Sequence, residues 1–254
     1  MENSLKNKPE LSQKEWFNDW FDTPFYHILY KNRDFGEARL FIDKLADFLQ
    51  FRTHHKILDL ACGRGRHAIY LNQKGLHVVG IDLSTTNIAY ARQFENERLR
   101  FFVHDMREVF EECCFDFIVN LFTSFGYFET DEEDLKVIQA ATYNLKSRGK
   151  FLIDFLNPDK IIHQIRPQEI KVINDIEFHI QKSYQNGFIL KTIDFEYKGK
   201  KYHYQERVKS IDLAKFQSYF EQTQLNIIHI FGNYQLDKFQ PNESDRMIFV
   251  LEKR

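Results

Sequence analysis

The chain has 254 residues, 43% hydrophobic and 16% aromatic, with 35 basic against 37 acidic side chains and a net charge of −2. That length buries a full core in one large domain, and the balanced charge offers no field for phosphate backbones or anionic lipid, so no nucleic-acid partner is expected. No apolar run approaches the ~20 residues of a membrane span, and Met1 to Glu10 is polar with no signal-peptide core, which predicts a cytoplasmic protein with no membrane partner.

After a polar tail over residues 1–15, Trp16, Phe17, Trp20, Phe21, Phe25, Tyr26 and Tyr30 recur at roughly helical spacing and predict a capping helix packed on the core. Phe41, Leu45, Phe48 and Leu49 give a second helix over 35–51. Strand one is Lys56 to Leu60, and a glycine loop leads into a helix from Arg66 that Gly75 ends. Strand two is His77 to Asp82, with Ser84 as N-cap of a helix over 85–97. Strands at 100–103, 115–120 and 149–156, with a helix at 131–145, complete the alternation of a doubly wound, mostly parallel α/β sheet. Beyond Asn157-Pro158 the period changes. Three β-rich runs, 176–184, 188–197 and 202–209, are separated by Asn186-Gly187 and Gly199-Lys200, which predicts an antiparallel meander. A helix near 213–223 and strands at 226–232 and 247–252 finish the chain. The division expected is thus an N-terminal helix and core over 16–157, the helix being the lid in the resemblance given below, an inserted β segment over 158–210, and a C-terminal return to the core over 211–254.

The chemistry concentrates in Ile57-Leu-Asp-Leu-Ala-Cys-Gly-Arg-Gly-Arg66 and Val79-Gly-Ile-Asp82: buried strand, glycine loop, helix, and a second buried strand ending in an acid. Gly63 and Gly65 let backbone approach a ligand, and Asp82 sits where a carboxylate accepts hydrogen bonds from both hydroxyls of a ribose. Two cofactor classes fit. Gly63 to Ala68 satisfies the dinucleotide fingerprint, with Asp82 roughly 20 residues beyond its first glycine. Asp59, however, puts a carboxylate just before a loop that would bind an anionic pyrophosphate, and suits a ligand carrying an ammonium and a sulfonium better.

These residues resemble the first motif of the class I S-adenosylmethionine-dependent methyltransferases, apolar-apolar-Asp-apolar-x-Cys-Gly-x-Gly. The resemblance runs from about Tyr26 to the C-terminus, and Asn120 to Phe128 is similar to a subgroup of small, mostly bacterial enzymes acting on small molecules. It implies a Rossmann-like seven-stranded sheet of order 3-2-1-4-5-7-6, with the meander walling a substrate pocket. It implies S-adenosyl-L-methionine as cofactor, S-adenosyl-L-homocysteine as product, and a small-molecule methyl acceptor. Tyr26 and Arg33 would belong to a lid over the cofactor, with Arg33 near its carboxylate. Asp59, Ala61, Gly63 and Gly65 would meet its methionine part, Asp82 its ribose, Leu83, Asp105 and Met106 its adenine, and Asn120 and Leu121 would flank the methionine through backbone carbonyls. Phe122, Ser124, Phe125 and Tyr127 would line the acceptor site, the aromatics suiting an apolar or cationic group. Methyl transfer from a sulfonium demands no catalytic dyad; a base, if needed, could be Asp154, Tyr127, His179 or His203. Arg64 is expected to face outward, and Arg66 to lie near the methionine carboxylate or in a surface pair.

A nicotinamide-dependent oxidoreductase and a non-catalytic binding protein on the same fold are the competing readings. The three cysteines fit a reducing compartment: Cys113 and Cys114 are adjacent, too cramped for ordinary disulfide geometry, and Cys62 lies in the glycine loop. The ten histidines show no zinc spacing, so no metal is expected. No motif specifies an oligomeric state.

Overall fold

A computed structural model of the chain describes residues 20–30 and 35–254. Trp16, Phe17 and Arg33 lie outside these residues.

Seven strands form the main sheet: β1 (Lys56–Leu60), β2 (His77–Asp82), β3 (Leu99–Val103), β4 (Phe115–Asn120), β5 (Leu145–Leu156), β10 (Leu225–Phe231) and β11 (Arg246–Lys253). Their order is β3-β2-β1-β4-β5-β11-β10, with β1 to β5 parallel and β11 antiparallel to both of its neighbours. This is the expected order. β1 and β4 are buried almost throughout because helices cover both faces of the sheet, as parallel strands require.

On one face lie α2 (Phe35–Phe48), α3 (Arg66–Gln73) and α4 (Thr85–Ala91), where Phe41, Leu45, Leu71 and Ile88 pack on Ile57, Val78 and Val119. On the other lie α5 (Asp131–Asn144) and α7 (Leu213–Glu221), where Val137, Ile138, Phe216 and Phe220 pack on Ile118, Phe151 and Phe249. The helix starts are written locally. Thr130 and Glu133 make a reciprocal capping box at α5, whose first turn holds four acids against the helix dipole; Ser84 caps α4 and Asp212 caps α7.

Between β5 and α7 the chain forms a short helix, α6 (Pro158–His163), and an antiparallel sheet of four strands: β6 (Gln168–Ile173), β7 (Ile176–Gln185), β8 (Phe188–Tyr197) and β9 (Lys200–Lys209). The sequence showed only three. The missed hairpin turns at Asn174-Asp175, both at positive φ without any glycine, whereas the other two turns pair Asn186 with Gly187 and Lys198 with Gly199. A second core forms where α1 (Pro24–Leu29) and Trp20 pack on the inner face of this sheet, against Ile176, Phe178, Ile193 and Phe195. The sheet is pinned to the main core at its other end by Lys209, whose Nζ lies 2.6 Å from the fully buried Asp134 of α5. Among the described residues, no helix is long and apolar enough to cross a membrane.

Candidate cofactor and acceptor site

The C-terminal tips of β1, β2 and β4 meet at the glycine loop. Ala61, Gly63 and Gly65 all take positive φ there, so the backbone doubles back three times within five residues before α3 begins. Gly65 has a second reason to lack a side chain, since a Cβ would come within 2.7 Å of the Phe101 ring; above Gly63 a Cβ would meet no atom within 4 Å. One glycine packs against the core while the other leaves a space open.

Asp82 closes the loop from the neighbouring strand. Its Oδ2 accepts from the Gly63 amide at 2.8 Å and its Oδ1 from the Ser84 amide at 2.8 Å. Burial pushes its pKa up, and these two amides pull it back. Asp59 is nearly inaccessible, and its Oδ2 has no hydrogen-bond partner. Burial first, then the Asp82 charge, push its pKa up to about 8, against the pull of an Ala68 backbone bond and the Arg66 charge. On β4, Asn120 is fully buried; its Nδ2 donates to the Leu60 carbonyl at 3.1 Å, and its Oδ1 is also unpartnered. Orphaned buried acceptors cost free energy unless a donor arrives. Two of them, beside an open space and an acid, fit a ligand that brings hydroxyls and a positive charge.

Because the folded pKa of Asp59 lies above its ordinary value, its burial costs stability progressively as pH rises from the usual carboxylate range through about 8. Asp59→Asn will remove that slope. Melting temperatures measured against pH without ligand should fall toward pH 8 for the parent chain and stay flatter for the variant; identical slopes would refute the assignment.

The other expected residues divide. Leu83 and Met106 pack at the edge of the main core, the Met106 sulfur 3.9 Å from Asn120 Nδ2. Asp105 is held by Arg107, whose Nε lies 3.1 and 3.0 Å from its two oxygens and whose Nη1 reaches Glu133 at 2.7 Å. Leu121 is buried, and its carbonyl accepts from Ser124 Oγ at 2.9 Å. Phe122 turns to the α2–α3 side, stacked on His67 at 4.9 Å with Arg66 over its ring at 4.7 Å. Phe125 is fully buried among Phe155 and Phe216, a core ring rather than an acceptor wall. Tyr127 meets the N-terminal segment, its ring 5.5 Å from Phe21. Arg64 lies along α4, 3.4 Å from Asn87 and over Tyr90.

The base candidates separate as well. His179 and His203 are exposed on the outer face of the inserted sheet, each beside its own acid, Glu177 and Asp194. Asp154 is wholly buried and committed to Arg246, Tyr234 and the Phe122 amide.

Sequence reasoning passed over the residues that seat the N-terminal segment. The Ser84 hydroxyl donates to Asp22, and Asn87 Nδ2 lies 3.5 Å from the Phe21 carbonyl, so this segment docks directly on the helix that follows Asp82. His27 hydrogen-bonds Asn87; burial and the Arg64 charge push its pKa down to about 4, and its Nε2 is buried without a partner. At its other side the segment reaches the inserted sheet, where Trp20 Nε1 donates to Glu206 at 2.7 Å and Tyr30 donates to the same carboxylate. Only the aromatic run around Tyr26 marked this segment, and nothing local paired Asp22 with Ser84.

A parallel sheet, a glycine loop at its first strand and an acid ending its second are the elements with which α/β sheets of this kind hold nucleosides. Residues 57–149 match the family model described as Methyltransferase domain. A Bacillus subtilis (strain 168) protein provisionally named methyltransferase YqeM is 35% identical over 109 residues, 42% of this chain and 44% of that one, so the match spans less than half of that relative's length. The crystal structure of an S-adenosylmethionine-dependent methyltransferase from Clostridium acetobutylicum ATCC 824 shares the fold with a TM-score of 0.77 at 18% identity, over 90% of this chain and 96% of that one. CalS10, an amino pentose methyltransferase from Micromonospora echinaspora solved with S-adenosylmethionine bound, shares it with a TM-score of 0.74 at 17% identity, over 91% and 98%. These likenesses show that the chain has the fold of the S-adenosylmethionine-dependent methyltransferases and that residues 57–149 carry the methyltransferase-domain match. The nicotinamide reading is not favoured by these likenesses.

Proposed function

We propose that the chain transfers the methyl group of S-adenosyl-L-methionine to a small-molecule acceptor, with an amine such as an amino sugar the first class to try. The observation that carries this is the convergence of Asp82, the glycine loop and the unpartnered Asp59 and Asn120 oxygens at three adjacent strand tips. Asp59 would hold the cofactor's ammonium, Gly63 and Gly65 its methionine portion, Asp82 its ribose hydroxyls, and Leu83 and Met106 its adenine, with Asp105 reading the amino group once Arg107 yields it. When bound, the cofactor supplies an electrophilic methyl on a cationic sulfur. The residues of the chain bind, orient and exclude water: the lid through Phe21 and Tyr26, and the loop after β4 through Ser124 and Tyr127. The amino pentose substrate named for CalS10 supports an amine acceptor, as do the aromatic faces of Phe21, Tyr26 and Tyr127.

Titration calorimetry with S-adenosyl-L-methionine and S-adenosyl-L-homocysteine tests the cofactor, and mass detection of a methylated product across a panel of amines tests the acceptor. Heat of binding with both ligands is expected. No heat with either would overturn the reading, and binding without transfer to any metabolite class would leave a binding protein on this fold.

A further inference from the structure

At the opposite end of β1 from the glycine loop, three side chains meet that the cofactor site does not use. Lys56 Nζ lies 2.6 Å from Cys114 Sγ and 3.0 Å from Glu111 Oε2, and Glu111 also hydrogen-bonds the Cys114 thiol. The contact is fixed from both sides by backbone bonds: the Lys56 amide donates to Asp116 Oδ2 at 2.8 Å, and the Cys114 amide to the Asn144 carbonyl at 2.9 Å. Burial and Glu111 push the Cys114 thiol above its ordinary range despite the pull of Lys56, and Lys56, though burial opposes it, is itself held above its ordinary range by Cys114 and Glu111. A cleft lined by Lys56, His77, Arg100, Phe102, Phe110 and Glu111 runs beside the cluster, and Cys114 itself is partly exposed.

We propose that Lys56 and Cys114 form a reversible oxidative cross-link when the protein meets a hydroperoxide. The Cys114 thiolate takes the terminal oxygen of the peroxide, whose O–O bond breaks to release an alcohol or water, and becomes a sulfenic acid. The Lys56 ammonium first gives one proton to solvent through the Glu111 carboxylate beside it, and the amine then attacks the sulfenyl sulfur. An N–S bond forms, the S–O bond breaks, and the departing hydroxide leaves as water with the proton that the amine loses, carried by the Glu111 carboxyl. Sulfur gives up two electrons and the peroxide accepts them; thiol, amine and hydroperoxide become sulfenamide, water and alcohol. The neighbouring Cys113 is too close along the chain for an unstrained disulfide, which leaves the amine as the partner. An added thiol attacks the sulfur and restores both side chains. The link would tie the start of β1 to the loop before β4, two strands whose far ends carry Asp59 and Asn120. It stands apart from the methyl-transfer reading.

The test is a tryptic peptide map, by accurate mass, of the full chain before and after hydrogen peroxide. Expected is a species joining the Lys56 and Cys114 peptides, lighter than their sum by two hydrogens, uncut after Lys56 and released by dithiothreitol. A disulfide from Cys62 would leave the cut after Lys56 intact, and methylation would add mass instead. Lys56→Arg, which keeps the charge beside Glu111, and Cys114→Ser should both lose the species, while Cys113→Ser keeps it. A Cys113–Cys114 disulfide alone, or a sulfinic acid at Cys114 with normal cleavage after Lys56, would overturn the proposal, and the parent chain's map decides it even if a variant fails to fold.

Discussion

Asp82→Ala is expected to weaken S-adenosyl-L-homocysteine binding by at least about 100-fold, since two hydrogen bonds to a charged acceptor contribute roughly 1.5–3 kcal/mol each. The carboxylate is already shaped for this: the Gly63 and Ser84 amides fix both oxygens from the protein side. The same amides make Asp82 a structural cap for the loop, so the variant should also melt a few degrees lower without ligand. Calorimetry separates the two effects, because a loss of capping alone would leave saturable binding at higher ligand concentration. Binding within threefold of the parent would remove Asp82 from the site.

The second large effect is expected at Asp154, and on stability first. Its carboxylate is fully buried and accepts from Arg246 Nε at 2.8 Å, Tyr234 at 3.1 Å and the Phe122 amide at 2.8 Å, while its backbone carbonyl accepts from the Thr123 amide at 3.0 Å. Phe122 and Thr123 both sit at positive φ, a conformation that neither residue favours and that these bonds hold in place. Asp154→Ala strips Arg246 of its buried partner, and breaking such a pair costs about 3–5 kcal/mol. For a chain of this size that lowers the melting temperature by roughly 10 °C. Asp154→Asn, which keeps an acceptor for the Phe122 amide, should lose less. A melting temperature within about 2 °C of the parent for the alanine variant would show that the network does not hold the loop.

Asp154 also shows where reading a sequence stops. As an acid at the end of a strand near the expected methyl position, it qualified as a base; its occupation by Arg246 depends on a residue 92 positions later, brought alongside by the antiparallel pairing of β11 with β5. Asp105 is similar at shorter range. Its carboxylate is taken by Arg107, two residues on, a pairing that spacing permits and does not require. Phe122 and Phe125 are three apart in one aromatic run, yet one faces α3 and the other fills the opposite core. Phe122 and the Thr123 that follows it both take positive φ, and no rule of alternation survives that.

The sequence by itself determined the parallel sheet, its strand boundaries to within a few residues, the glycine loop and Asp82, because each rests on a local requirement: apolar runs long enough for a buried strand, a Cβ-free loop, an acid at a strand tip. It also determined that the inserted segment is antiparallel, through turns that carry glycine. Only the tertiary structure decided that a fourth strand joins that sheet through Asn174-Asp175, that the N-terminal segment docks by Asp22 on Ser84 and by Trp20 and Tyr30 on Glu206, and that Asp59 is buried beside Asp82 with an oxygen unpaired. Those facts depend on desolvation and on pairing between distant segments. Both are properties of the packed chain, and the sequence carries no local mark of either.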